Sequence, residues 1–219
     1  LLGTSIGFAL TALIFTFVKS GGDLSFGGTA ILAESDLGYW PALFLLLGFA
    51  FGFSKAGLMP FHSWLPGAMV APTPVSALLH AVAVVKVGVF CVIRVVTDVF
   101  GVDLLGKLGV HLVLCWIAAF TVITSSLIAL TQDNLKRRLA FSTIGQLSYI
   151  ILGVSLLAPH AVAGSMMHIA MHAFGKITLF FCAGAIFVAC GKKYVSQLDG
   201  LGRRMPVTFA AFAIGAISV

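Results

Sequence analysis

Apolar residues run through this chain in long blocks, with polar positions gathered into short stretches between them. Blocks over 1–18, 40–58, 75–96, 110–130, 139–157 and 162–189 each predict a helix, and 206–219 predicts the start of another. Pro60 ends the second block. "FHSWLPGAM" then reads as a short half-helix or re-entrant piece, and Pro72 and Pro74 lead into the third helix. Helix breaks are thus expected at Pro60, Pro72 and Pro74, because proline removes a backbone donor and clashes with the carbonyl four residues back.

Composition decides what surrounds these helices. Hydrophobic residues make up 60% of the chain, charged ones 9%, and mean hydropathy is +1.11. A soluble domain carries about 25% charged residues, so the pattern predicts an all-α polytopic bundle in the lipid bilayer. Backbone groups in lipid must be satisfied internally, which helices achieve. The 24 glycines, many inside the blocks, suit close helix packing. The chain opens on "LLGTSIGFAL" and closes on "PVTFAAFAIGAISV". The expectation is one transmembrane domain, 1–219, truncated at both ends from a longer protein. Cys91, Cys115, Cys182 and Cys190 lie within or at the end of apolar runs without metal-ligand spacing, and read as small apolar residues.

Charge adds an orientation. The formal charge of +6 reflects basic loops and not a nucleic-acid partner. Alternating connections place 20–39, 97–109 and 158–161 on one side, with 59–74, 131–138 and 190–205 on the other. The second side holds Lys136, Arg137, Arg138, Lys192, Lys193, Arg203 and Arg204. The positive-inside bias makes it cytoplasmic, in a bacterial inner membrane.

Ionisable residues inside apolar helices mark the candidate chemistry, because intramembrane charge is expensive and usually lines an ion or proton path. Lys55 precedes the Pro60 break, where it either exchanges protons with water or snorkels from a helix end. Lys86 lies mid-helix, at a cost of about 2.5–3.5 kcal/mol on insertion scales. His80 is six positions earlier and on another face, where a proton-carrying and a core role both remain open. His168, His172 and Lys176 stand at i, i+4 and i+8, stacked along one face at ~100° per residue. A proton relay suits groups that titrate near neutrality. A hydrogen-bonded structural face is the plainer reading. A His-ligated haem or metal anchor is the third, and it lacks further ligands nearby and places a lysine beside the cation. No metal and no cofactor is expected. The carboxylates Asp23, Glu34, Asp36, Asp98, Asp103, Asp133 and Asp199 fall in loops or at helix ends, so none neutralises Lys55 or Lys86 from within a span.

Three stretches carry a resemblance: "KAGLMPFHSWLPGAMVAPTPVSALLHAVAVVKVGVF", "TQDNLKRRLAFSTIGQLSYIILG" and "MHIAMHAFGKITLFFCAGAI". They resemble the antiporter-like membrane subunits of respiratory complex I (NADH:quinone oxidoreductase) and the large subunits of Mrp-type Na+/H+ antiporters. The resemblance implies a stretch from the family's sixth helix to the start of its twelfth, within a fold of two inverted repeats with broken helices. It implies that Lys55 is the lysine of the first broken helix, that Lys86 and His80 sit on the next helix, and that His168, His172 and Lys176 form the central relay. Carrying both His80 and Lys86 resembles the Mrp-type subunit. The implied function is proton translocation by a membrane subunit of a multisubunit complex, most like NADH:quinone oxidoreductase, with Na+/H+ antiport as the alternative. The implied partners are other membrane subunits, protons and in the alternative Na+, with no redox site in this chain.

Overall fold

The computed structural model describes residues 2–22, 24–25, 30–79 and 83–219, and these are almost wholly helical. The first helix, α1, runs through Leu2–Thr4, a π-helical stretch Ser5–Leu10 and Thr11–Lys19. Helix α2 spans Tyr39–Gly52 and ends in a 3-10 turn, Ser54–Ala56. Trp64–Gly67 forms the short α3, extended by a 3-10 turn at Ala68–Val70. Thr73–Ala77 is α4, Val84–Arg94 is α5 with a π-helical continuation Val95–Phe100, and Val102–Leu108 is α6. The long helices follow: α7 His111–Thr131, α8 Leu135–Ser155 and α9 Pro159–Cys190. Leu201–Arg204 (α10) and Pro206–Ile217 (α11) complete the described chain.

Three boundaries differ from the sequence expectation. Helix α2 ends at Gly52, before Lys55 and not one turn beyond it. Phe53 leaves helical geometry with ψ of 53°, and Gly57 adopts a φ of 75° that favours glycine. Pro60 therefore lies in a turn past the break and does not cause it. In the third block the described α-helices are Thr73–Ala77 and Val84–Arg94; 80–82 lie outside the described residues, and a wide i→i+5 bond joins Ala83 N to the Leu78 carbonyl at 3.0 Å. Pro72 and Pro74 lie at the N-terminus of α4, where a missing N–H is harmless. Helix α8 starts four residues before the expected 139, because Asn134 caps it by accepting from Arg137 N at 3.2 Å. Lys136, Arg137 and Arg138 thus occupy its first turn. The guanidinium of Arg138 donates to the carbonyls of Ala129 and Leu130, satisfying the C-terminal end of α7.

The core forms where α7 packs along α8 and α8 along α9, with α11 laid against α9. Leu114, Ala118, Ile144, Leu147, Ile151 and Phe180 fill it. Outward-facing positions on the same helices are large and apolar, among them Trp116, Phe120, Phe174 and Val188. Helices α7 and α9 are long and apolar enough to cross a membrane.

The connections gather into two groups. On one side Val195 N donates to the Asp133 carbonyl, Leu135 N to the Lys193 carbonyl, and Lys136 Nζ to the Ala71 carbonyl. On the other, Ile31 N and Leu32 N donate to the carbonyls of Asp98 and Val99. These contacts join the loops that the alternating count assigns to common sides.

Candidate functional site

The break after α2 places unpaired backbone groups inside the bundle, and neighbouring side chains satisfy them. Trp64 Nε1 donates to the Ser54 carbonyl at 2.9 Å, and Met59 N donates to Thr121 Oγ1 on α7 at 3.4 Å. Helix α5 presses on this turn through Gly88, where any side chain would run into the backbone of Lys55 and Ala56. The Lys55 backbone is therefore locked against the helix that carries Lys86, while its side chain is exposed.

Helix α9 brings His168, His172 and Lys176 down one face. His172 and Lys176 are each 1% exposed and Lys86, reaching across from α5, is 6% exposed. Lys86 Nζ bonds to His172 Nδ1. The rings of His168 and His172 stack at 6.1 Å between centroids, with an interplanar angle of 29°. Lys86, His172 and His168 thus form one continuous polar track, and Lys176 lies one turn further along α9. The His172 Nε2 atom is buried with no partner among the described residues.

Helix α8 supplies two groups that sequence reasoning missed. Ser142 Oγ accepts from Lys176 Nζ at 2.8 Å, and Gln146 Oε1 accepts from His168 Nε2 at 2.7 Å. The two helices run antiparallel, so the later residue of the α8 pair, Gln146, meets the earlier one of the α9 pair, His168. A signal was present in "FSTIGQLSYI", where Ser142 and Gln146 stand four residues apart and share a helical face.

Not every expected residue joins this cluster. The exposed Lys55 side chain stands apart from it, and His80 lies outside the described residues. No carboxylate among the described residues pairs with Lys86 or Lys176; the acidic partner that is seen belongs to Arg94, bonded to Asp98 at 2.7 Å. No group of three His, Cys, Asp or Glu side chains suited to a metal occurs among the described residues.

A cavity of about 1140 Å³ opens beside the half-helix α3 on the side of the basic connections. Its wall includes His62, Met69, Asn134, Lys136 and Lys193. His62 Nδ1 is buried in that wall with no hydrogen-bond partner among the described residues. Outside the helices, Asp133 accepts from Ser196 N at 3.0 Å and Ser196 Oγ at 2.8 Å. These bonds hold its carboxyl below the usual aspartate value.

Comparison with known proteins identifies the architecture. The family model described as "NADH:quinone oxidoreductase/Mrp antiporter, TM" matches residues 3–219. The F(420)H(2) dehydrogenase subunit L of Methanosarcina mazei is 38% identical over 177 residues, 80% of this chain and 26% of that protein. The NADH-quinone oxidoreductase subunit L of Pseudomonas aeruginosa is 33% identical over 214 residues, 94% of this chain and 33% of that protein. Among solved structures, the Mrp complex from Dietzia sp. superimposes with a TM-score of 0.79 at 31% identity, covering 94% of this chain and 22% of that one. The chain spans about a quarter to a third of the length of the curated relatives it matches. An all-helical bundle with a broken helix, matched over nearly its whole length, is an integral membrane protein of the NADH:quinone oxidoreductase/Mrp antiporter transmembrane family.

Proposed function

We propose that this chain is the central part of a proton-translocating subunit in a multisubunit membrane complex like NADH:quinone oxidoreductase. The observation that carries the reading is the buried Lys86–His172 contact, with His168 stacked beside it and Lys176 on the same helix face. Lysine and histidine can each take and release a proton, and nothing in this cluster is a fixed counter-charge. Two cationic groups in one buried cluster repel, so a proton arriving at one biases the other to give its proton up. The cavity beside α3, large enough to hold many waters, supports uptake from the basic side, which we take as cytoplasmic, with His62 in its wall. Lys55, exposed and fixed by its backbone against Gly88, would take its acidic partner from elsewhere in the assembly. His80, six positions before Lys86 in the sequence, is proposed as a further carrier.

Sodium/proton exchange is the second reading, favoured by the superposition on the Mrp complex. Other membrane subunits are the proposed partners, and a bacterial inner membrane the proposed location.

The test is His172→Gln in the full-length protein, assembled in its complex and reconstituted in vesicles. Glutamine hydrogen-bonds but does not carry a proton at neutral pH. Proton transport should fall at least ~tenfold, on the scale of a lost positioned acid–base group, while the complex still assembles. Transport at the wild-type rate would overturn the relay. Sodium flux coupled to proton flux in the unaltered vesicles would select the exchange reading, and a haem spectrum lost with His172→Gln would favour a metal anchor instead.

A further inference from the structure

We propose that Gln146 is a positioning residue that holds His168 in its Nε2–H tautomer, so that His168 exchanges protons through Nδ1 alone. The inference rests on the proton-relay reading above. It starts from one side-chain amide, whose oxygen, Gln146 Oε1, faces His168 at 2.7 Å from Nε2. A carbonyl oxygen only accepts, so His168 Nε2 must carry its hydrogen, and in the neutral ring Nδ1 is then the free acceptor.

Next along the track, His172 repeats this polarity. Its Nδ1 is engaged by Lys86 Nζ, a donor, which places the neutral ring's hydrogen on Nε2. Two imidazoles one helical turn apart therefore present lone pairs on Nδ1 and hydrogens on Nε2. Their ends differ in one respect. The Nε2–H of His172 is buried with no partner among the described residues, whereas that of His168 is held by a group that cannot be protonated near neutral pH. A proton taken at His168 Nδ1 gives the imidazolium, with both nitrogens protonated. It leaves from Nδ1 again, because the Nε2 proton has no acceptor that can keep it. While the amide bond lasts, His168 takes up and returns the track's protons through Nδ1 and passes nothing toward α8. Lys176 is treated the same way by Ser142, whose hydroxyl accepts from it at 2.8 Å.

The experiment uses the full-length protein in its assembled complex, with 15N-labelled histidine and solid-state NMR in proteoliposomes; His168→Asn assigns the His168 signals. The wild type should give a single Nε2–H signature for neutral His168. Gln146→Met keeps the shape and removes the acceptor, and should give mixed tautomers with transport slowed about tenfold. Gln146→Glu keeps an acceptor and should keep the Nε2–H form. A pure Nε2–H signature in Gln146→Met would overturn the assignment, as would mixed tautomers with unchanged transport. The tautomer is read without any transport measurement, and failure of the relay itself appears separately in His172→Gln.

Discussion

Lys86 Nζ of α5 rests on Nδ1 of His172, two-fifths of the way along α9, and both groups are almost fully withdrawn from solvent. A cation of this kind would normally be paired with a carboxylate, since removing charge from water costs several kcal/mol per ion. Here the partner is an imidazole, a side chain that can itself take up a proton.

Replacing that cation should separate stability from activity. Lys86→Met keeps an unbranched stem, one heavy atom shorter, and removes the buried ammonium, so the thermal midpoint of the assembled protein should hold or rise. Proton transport should drop at least ~tenfold. Lys176→Met should behave alike, and Lys55→Ala should lower transport without loss of assembly. Vesicle acidification assays alongside thermal unfolding in detergent decide it; normal pumping in Lys86→Met would remove the residue from the path.

The contact at Gly88 sets a second expectation. A Cβ there meets the backbone of Ala56 and Lys55, which cannot rotate away as a flexible side chain would. Gly88→Val should destabilise by ~1–3 kcal/mol or more, the scale of overpacking a filled core. Because the Lys55 turn must shift, transport should fall with it. Thermal unfolding of the variant measures the first effect and reconstituted transport the second.

The bond between Asp133 and Ser196 predicts a pH window. A carboxyl held below the usual aspartate value of 3.8 contributes stability that is present above that value and lost as pH falls through the lowered one. The junction of 131–134 with 193–197 should therefore be insensitive between pH 8 and 5 in this respect and loosen only in stronger acid. Hydrogen exchange at the Ser196 amide is the readout. Asp133→Asn should abolish the acid step and speed exchange at neutral pH.

Topology gives a fourth. A cysteine placed at Ser196, in a variant otherwise free of reactive thiols, should be labelled from the cytoplasmic side by an impermeant reagent. The basic residues of 131–138 and 190–205 motivate this, and their loops are bonded to each other. Labelling from outside intact cells would invert the orientation.

What the sequence makes legible is the lipid-facing pattern and the stacked groups of α9. Composition and block length report burial in lipid directly, and i, i+4 spacing reports a shared face. The helix-break positions were harder. Proline is visible in a sequence and drew the expected break to Pro60, whereas the observed break depends on Gly88 pressing from another helix and on Gly57 taking positive φ. Ser142 and Gln146 escaped notice for a related reason. An uncharged polar residue inside an apolar block carries little signal until the helix opposite is known, and only the antiparallel pairing of α8 with α9 reveals that they meet Lys176 and His168.

The length of α9 has a mechanical corollary. Its 32 residues make a rod of ~48 Å at the usual rise per residue, against a hydrocarbon core of ~30 Å. Such a helix must lean, protrude or do both, and bilayers of different thickness ask for different leans. His168, His172 and Lys176 are the tenth, fourteenth and eighteenth of these residues, inside the rod and with Lys176 nearest its midpoint, where depth changes least when the ends are displaced. Thicker or thinner lipid should therefore move the loops at Ala158 and Gly191 far more than it moves the proton-bearing groups, leaving the relay at nearly constant depth while the ends of the helix absorb the mismatch.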